Sequence, residues 1–249
     1  MAFAVIEQLN PIMTDTRRSS NFCLLLLVLA GISVASYPQA KSPQTALDQA
    51  LERMAAIGRD FHSFSADFTQ RKYIAVLKEF DNPESGIFIY ARAKDGSALL
   101  RQEFRAPGHK ILTIKGGSAM VYQPSLNQAS IVNLGKNKDK AEFLALGIGQ
   151  SPAKLRETFN IEYQGEEKVD GAPCSVLQLK PKSSSAAAFL ASITLWISNS
   201  NNLPIQQKLQ EPNGDYLLNK FSAEKLNSKV ADSDFEQKLP KGVDVQQIK

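Results

Sequence analysis

One short stretch of the chain decides the fold, Gly86-Ile87-Phe88-Ile89-Tyr90-Ala91-Arg92. If it is a strand, Ile87 and Ile89 lie on one face, and Phe88, Tyr90 and Arg92 lie on the other. A sheet with one face in water alternates apolar and polar residues, but this stretch is apolar on both faces. We therefore expect both faces of the sheet to be covered, one by helices and the other as the lining of a cavity.

Similar short stretches with a two-residue period recur along the chain, separated by Gly, Asn and Pro turns. The predicted strands are Phe64–Thr69, Ile74–Phe80, Gly86–Arg92, Ala98–Phe104, Lys110–Ile114, Ala119–Tyr122, Ala129–Leu134, Ile161–Val169, Cys174–Lys180, Ser192–Ser198, Ile205–Gln210 and Tyr216–Leu226. Many short strands joined by tight turns predict an antiparallel sheet or barrel, so the fold class is mainly β with a few helices.

Two segments have the period of a helix. The first begins at Ser42 and Pro43, which suit an N-cap and a first turn. Its apolar stripe is Leu47, Leu51, Met54, Ile57 and Phe61. The second is Lys138–Phe159, with a restart at Ser151 and Pro152. The apolar loop Ser183–Ala191 has two interpretations, a loop over an apolar surface or a short helix that covers the core.

Residues 1–40 have the pattern of an export signal. Arg17 and Arg18 precede the apolar run Phe22–Val34, and small residues follow from Ala35 to Ala40, where we expect cleavage. The run has 13 residues, whereas a membrane span needs about 20. We expect residues 41–249 to form one domain that is soluble in the periplasm.

Met13, Cys23 and Cys174 add detail to this interpretation of the export signal and the mature chain. The residues before Arg17 do not suit a signal peptide, so Met13 is an alternative start to Met1. A lipid-anchored protein needs a Cys directly after its apolar run, but Cys23 lies at the start of that run. The mature chain is therefore expected to carry no lipid of its own, and Cys174 is left without a partner for a disulfide bond within the chain.

The composition argues against several functions. The net charge of +4 comes from Lys and Arg residues that are spread along the chain, which does not indicate a nucleic-acid partner. The two histidines, His62 and His109, have no Cys or carboxylate at metal-ligand spacing. No nucleophile elbow, phosphate loop or zinc motif occurs. We expect no enzymatic activity, metal or cofactor, and a hydrolase whose Ser, Asp and His meet only in the fold is the remaining catalytic hypothesis.

The order of several short motifs resembles the LolA-like family of periplasmic outer-membrane lipoprotein carriers. The matching segments are Phe64-Ser65-Ala66-Asp67-Phe68-Thr69-Gln70, Gly86–Arg92, Leu100-Arg101 with Pro107, Ile111-Leu112, Gly117, Tyr122-Gln123-Pro124, Gln128 and the closing stretch Phe235–Val245. The chain departs from the family pattern at Ala93, where Pro is usual, and at Gly116, where Asp is usual.

The resemblance implies a half-open antiparallel β-barrel with a helical lid over a hydrophobic cavity. It implies a carrier that takes acylated lipoproteins from an inner-membrane ATP-driven release complex to an outer-membrane lipoprotein acceptor, where the organism has one. We expect a monomer that binds no nucleic acid. A lipid-binding periplasmic sensor or regulatory module with a similar half-barrel is the alternative function.

The resemblance also suggests roles for single residues. The acyl-chain cavity is predicted to include Phe88, Tyr90, Met120 and Tyr122, and Arg92 is predicted to hydrogen-bond lid carbonyls and hold the empty state closed. The lid candidates are Phe143, Leu144, Leu146, Ile148, Phe189 and Leu190. For the apolar residues the alternative is ordinary core packing, and for Arg92 it is a strand end in water.

Overall fold

The structure is a computed structural model that describes residues 42–135 and 145–248. The helices are α1 (Pro43–Arg59), α2 (Pro152–Thr158) and α3 (Ser184–Ala187), with 3₁₀ turns at Pro124–Leu126 and Asp232–Phe235. The strands are β1 (Ser63–Ile74), β2 (Glu79–Phe80), β3 (Glu84–Arg92), β4 (Ala98–Ala106), β5 (Lys110–Lys115), β6 (Ser118–Gln123), β7 (Gln128–Asn133), β8 (Phe159–Val169), β9 (Ala172–Pro181), β10 (Ser192–Ser198), β11 (Pro204–Gln210), β12 (Tyr216–Leu226) and β13 (Asp244–Ile248). The predicted signal segment, residues 1–40, lies outside the described residues and stays a prediction.

All the strands belong to one open sheet. Its order is β13-β7-β6-β5-β4-β3-β1-β12-β11-β10-β9-β8, and β2 pairs with β1. Every neighbouring pair is antiparallel except β13 with β7, which is parallel. Within the described part of the chain the two ends of this order, β13 and β8, do not pair with each other. The predicted mainly β fold with an unclosed, half-open antiparallel barrel is thus confirmed.

Most predicted elements are present, and two are wrong. The stretch Ile74–Phe80 is not one strand, because residues 75–78 form a tight turn in which Lys78 has a φ of 57°. The segment Lys138–Phe159 is helical in its described part only from Pro152, after Ser151 caps the helix as predicted. Residues 145–149 form turns instead of helix, since Gly147 and Gly149 have φ values of +86° and +65°.

The inner face of the sheet is defined here as the face covered by α1 and residues 145–150. Its apolar side chains form two clusters. One joins α1 to β9, β10 and β11 and includes Leu51, Leu177, Leu195 and Leu146. The other is largely aromatic, and it consists of side chains from β1, β3, β4, β5 and β12 with Phe61, Ala145, Ile148 and Leu203. The helix thus covers one half of the inner face, and residues 145–150 reach both halves.

The outer face is the opposite side of the same sheet, and the C-terminal part of the chain covers part of it. Phe235 packs against Ala91 and Leu99, and Leu239 and Val243 pack beside Tyr122. A groove of about 480 Å³ remains between β3–β4 and this segment. At β3–β7 both faces of the sheet are therefore covered, as predicted from Gly86–Arg92, but the C-terminal segment and not a cavity covers the outer face there.

Gly86 allows the aromatic side chains of the inner face to meet. It pairs with Phe68 on one side and Phe104 on the other, and these two rings contact each other edge to face, with centroids 5.1 Å apart. A Cβ atom at Gly86 would lie 1.8 Å from the carbonyl oxygen of Glu103. The strand pairing of β3 with β4 therefore requires glycine at this position.

We predict that Gly86→Ala destabilises the fold by about 3 kcal/mol or more, because the backbone of β3 or β4 must shift to admit the methyl group. The measurement is the free energy of unfolding in urea. Gly108→Ala is the matched control, since a Cβ there has no neighbour within 4 Å. Equal unfolding midpoints for the two variants would contradict this account of Gly86.

Candidate functional site

Three residues of β3 share the inner face, as the sequence predicts. The register pairs Phe88 with Gln102, Tyr90 with Leu100 and Arg92 with Ala98. Phe88 is 2% exposed and Tyr90 is fully buried. Phe88 contacts the rings of Phe64 and Phe221, and Tyr90 stacks on Phe61 with ring centroids 5.5 Å apart. These rings form a continuous apolar surface that is inaccessible to water in this conformation.

Residues 145–150, which we name the plug, close this surface. All six residues are buried, although they form turns and not a regular element. Ile148 packs into the aromatic cluster, and Leu146 packs into the cluster beneath α1. The plug therefore occupies inner-face surface that a long apolar ligand would otherwise contact.

Two glycines let the plug fit closely. A Cβ atom at Gly149 would lie 2.3 Å from Cγ of Phe61, and one at Gly147 would lie 2.9 Å from Cδ1 of Leu195. Both glycines also have positive φ, a conformation that costs other residues roughly 1 kcal/mol or more. In the sequence Gly147-Ile148-Gly149, one large apolar side chain thus lies between two residues that have no side chain, which lets the plug pack closely on the sheet.

Arg92 connects the sheet to the plug. Its Nη2 atom donates a hydrogen bond to the carbonyl oxygen of Gly149, at 3.4 Å. This is a long bond, so its contribution is below the usual range for charged donors, about 1 kcal/mol. Arg92 therefore contacts a carbonyl of the covering segment, while its role in holding the empty state closed stays a prediction.

The helix α1 is held to the sheet by shorter bonds than the plug. Arg53 donates from Nη2 to Oγ of Ser175 at 2.9 Å and to Oδ1 of Asn199 at 3.3 Å. Arg156 of α2 pairs with Asp48 of α1. The bond from Arg53 of α1 to Ser175 of the sheet, at 2.9 Å, is thus shorter than the bond from Arg92 to the plug, at 3.4 Å.

Met120 and Tyr122 do not share a surface with Phe88 and Tyr90. Met120 pairs with Thr113 of β5, and the register of β5 with β4 places both residues on the outer face. The strands β4 and β5 lie between β6 and β3. Tyr122 packs there beneath the C-terminal segment. The prediction that grouped these four residues in one cavity is wrong, because two intervening strands shift the pairing so that these positions of β6 face outward.

The lid candidates separate into three groups. Phe143 and Leu144 lie outside the described residues. Leu146 and Ile148 belong to the plug and are 3% and 1% exposed. After α3, Leu190 is buried in the cluster beneath α1, while the neighbouring Phe189 is 38% exposed. Of the two interpretations of Ser183–Ala191, the structure agrees with a short helix that covers the core.

A polar row that the strand pattern did not predict crosses the inner face. Asn219 donates from Nδ2 to Oε1 of Gln207 at 3.3 Å, and Gln102 donates to Oε1 of Gln70 at 3.4 Å. The Oδ1 atom of Asn219 is buried without a hydrogen-bond partner. The sequence does contain a signal for this row. Gln102 lies two residues from both Leu100 and Phe104, so it faces inward with them although it is polar. The interior is therefore not uniformly apolar.

The groups that could perform acid–base chemistry lie apart from this surface. His62 is exposed just before β1, and the half-exposed His109 lies 3.5 Å from Glu103. Across the described ranges, no three His, Cys, Asp or Glu side chains are grouped so that they could bind a metal ion. In the same ranges no helix is long and apolar enough to cross a membrane.

The site is thus an apolar surface that the plug covers. Its walls are aromatic and aliphatic, and its polar contacts are hydrogen bonds of neutral amides together with Arg92 at one end. Such a surface binds alkyl chains or other extended apolar groups by removing them from water.

Comparison with known proteins indicates a family. The family model described as outer membrane lipoprotein carrier protein LolA matches residues 59–238, which include the plug and every strand from β1 to β12. A curated protein from Hahella chejuensis, named outer-membrane lipoprotein carrier protein, is 24% identical over 230 residues. That alignment covers 89% of this chain and 96% of the relative.

Several solved structures are similar in outline. An uncharacterized conserved protein from Thermus thermophilus has a TM-score of 0.47 and 16% identity, covering 84% of this chain and all of that one. A LolA superfamily protein from Nitrosomonas europaea has a TM-score of 0.37 and 15% identity, with coverage of 80% and 99%. The MucA/MucB complex of Pseudomonas aeruginosa gives 0.43 and 17%, and the match spans 78% of this chain and 61% of that one.

We predict that Gly149→Ala displaces the plug, because the methyl group overlaps the ring of Phe61. The exposed aromatic surface should then bind a hydrophobic dye such as anilinonaphthalene sulfonate several-fold more strongly. Gly171→Ala is the control, since Gly171 also has positive φ but a Cβ there meets nothing within 4 Å. Equal dye binding by both variants, at matched thermal stability, would contradict the role of the plug as a cover.

Proposed function

The chain belongs to the LolA family of outer membrane lipoprotein carrier proteins, and we propose that it is a periplasmic carrier that binds the acyl chains of lipoproteins against the inner face of its sheet. The observation that carries this proposal is the plug, which covers an aromatic surface with closely packed glycines and accepts a long hydrogen bond from Arg92. Residues 1–40 direct the chain to the periplasm, and the carrier moves its cargo from the inner to the outer membrane.

The energetics of acyl chains require such a carrier. A lipid moiety with three chains holds on the order of 45 methylene groups, and leaving water is worth about 0.8 kcal/mol for each, or roughly 35 kcal/mol in all. Free diffusion through an aqueous compartment is therefore negligible. A carrier has to replace most of this contact and still release the cargo, which a surface with its own displaceable cover can do.

The carrier cycle has two states. In the empty state the plug contacts the aromatic cluster and Arg92 holds the carbonyl of Gly149. In the loaded state the acyl chains replace the plug on the inner face, and the bond from Arg92 is broken. The cargo is received from an inner-membrane ATP-driven release complex and is passed to an outer-membrane acceptor. No covalent bond is made or broken in this cycle, so the protein acts by binding alone.

Mass spectrometry of what co-purifies with the protein from the periplasmic fraction tests the proposed cargo. Acylated protein bound to the carrier is the expected result. Free lipid without protein would instead favour a lipid sensor, and the recovery of neither from cells that express lipoproteins at normal levels would contradict both functions.

We expect Arg92→Leu to slow the release of cargo roughly fivefold, because the closed state loses about 1 kcal/mol of stabilisation relative to the open state. The measurement is the rate at which an acylated protein passes from the purified carrier to acceptor vesicles. Arg105→Leu is the control, since Arg105 is exposed and its ion pair is with Glu103 on the same strand. Indistinguishable transfer rates for wild type and Arg92→Leu would remove Arg92 from the cycle.

A further inference from the structure

The turn between β1 and β2 exposes two aliphatic side chains at its apex. Val76 is 86% exposed and Leu77 is 58% exposed. Turns of this kind are usually formed by Gly, Asn, Asp or Pro, which suit both the geometry and the contact with water. We name residues 71–81 the tip hairpin. Its apex is apolar although neither turn geometry nor core packing requires apolar residues there.

The apex is held in position by the neighbouring turn between β11 and β12. Asp215 accepts a hydrogen bond from the backbone amide of Ala75 at 2.9 Å and pairs with Lys72 at 3.6 Å. The hydrogen bond from that amide, together with Lys72, holds the pKa of the Asp215 carboxyl below its ordinary value. Within the turn, the amides of Leu77 and Lys78 donate to the carbonyls of Ile74 and Ala75. Val76 and Leu77 thus project from a turn whose backbone is internally bonded.

Aromatic rings lie behind the apex, and cations lie over those rings. Tyr73 stacks on Tyr216 with centroids 4.7 Å apart, and Phe80 meets both rings edge to face. Arg71 lies 4.2 Å above the ring of Phe80, and Lys208 lies 4.2 Å above that of Tyr216. Tyr73 and Phe80 are each three residues from the apex, a separation of up to about 10 Å along a strand.

An apolar apex in front of aromatic rings matches the depth profile of a lipid bilayer, and the exposed Lys78 and Glu79 beside Leu77 limit insertion to the two apex side chains. Aliphatic groups favour the acyl region, aromatic rings favour the interface, and Lys and Arg side chains favour the headgroups. Interfacial elements bury their apolar face about 5–10 Å into the boundary of headgroups and acyl chains, which agrees with the spacing in the tip hairpin. We propose that the tip hairpin docks the protein on a lipid bilayer by inserting Val76 and Leu77.

A bilayer fits this surface better than a protein partner does. A stable protein interface buries about 800 Å² on each side, which is far more than two side chains supply. A bilayer needs no matched surface, so two side chains give a weak and reversible contact. That contact is separate from cargo binding at the inner face, so the proposal of membrane docking does not depend on the carrier function.

The charges around the apex predict little dependence on anionic lipid. The cations are Arg71, Lys72, Lys78 and Lys208, and the anions on the same and the adjacent hairpin are Glu79, Asp81, Glu211 and Asp215. The signs balance, and Asp215 and Lys72 pair with each other. The apolar apex therefore supplies the affinity, and phosphatidylglycerol should change it by less than the apex residues do.

Flotation with vesicles of phosphatidylcholine, with and without phosphatidylglycerol, tests the proposal on cargo-free protein purified from the periplasmic fraction. The double variant V76D/L77D should bind vesicles about a hundredfold more weakly than wild type, since each of the two inserted aliphatic side chains is worth about tenfold in partitioning. The control is Leu126→Asp, because Leu126 is a 61% exposed side chain at the apex of another hairpin. Leu126→Asp should bind like wild type.

A second measurement locates the inserted residue. Leu77→Cys and Leu126→Cys each receive an environment-sensitive nitrobenzoxadiazole label, and Cys174 stays unlabelled because it is buried and burial raises the pKa of its thiol. Vesicles should increase and blue-shift the emission of the label at residue 77 alone.

Three results would each overturn the proposal. They are equal vesicle binding by V76D/L77D and wild type, no binding of wild type to either vesicle, and equal spectral changes at residues 77 and 126. A protein partner that required Val76 and Leu77 while vesicles did not would overturn it in favour of a protein-docking role.

Discussion

The structure depends on covering a single sheet that is apolar on its inner face and, along β3–β7, on its outer face as well. A sheet of this kind is stable in water only if each face packs against another layer. The chain supplies three covers: α1 over β9–β11, the plug over the aromatic cluster, and the C-terminal segment over the outer face of β3–β7. Of these, the plug has no regular secondary structure, and Gly149 in it accepts a long hydrogen bond from Arg92 of β3.

This difference between the covers links stability to function. The plug and an acyl chain would compete for the same rings, so the apolar surface is buried in either state. The net free energy of cargo binding is then a difference between two similar burial terms and not the full value of burying the chains. A carrier whose empty state was an open apolar cavity would bind more tightly, aggregate more readily and release more slowly.

The sequence predicts the sheet well because strand periodicity is local. Gly86–Arg92 and its neighbours alternate as the structure has them, and Ser42 and Ser151 cap the helices that follow. The plug was predicted to be helix, because apolar spacing in Phe143, Leu144, Leu146 and Ile148 suits a helix until glycines with positive φ are considered. The local sequence pattern could not assign Met120 and Tyr122 to the outer face, because the side of the sheet on which they lie depends on the register of β4 and β5. The apex at Val76 and Leu77 was predicted as strand for a related reason, because an exposed apolar residue and a buried one look the same in a sequence.

Hydrogen exchange of the plug amides, with and without an acylated protein bound, tests the central claim most directly. In the empty carrier these amides are buried, and that of Ile148 donates to the carbonyl of Ala145. If acyl chains replace the plug, its amides will exchange faster in the loaded carrier, while those of β10, which are bonded within the sheet in both states, will not change. Unchanged or slower exchange at residues 146–149 on loading would mean that the plug stays in place, and the chains would then have to bind elsewhere.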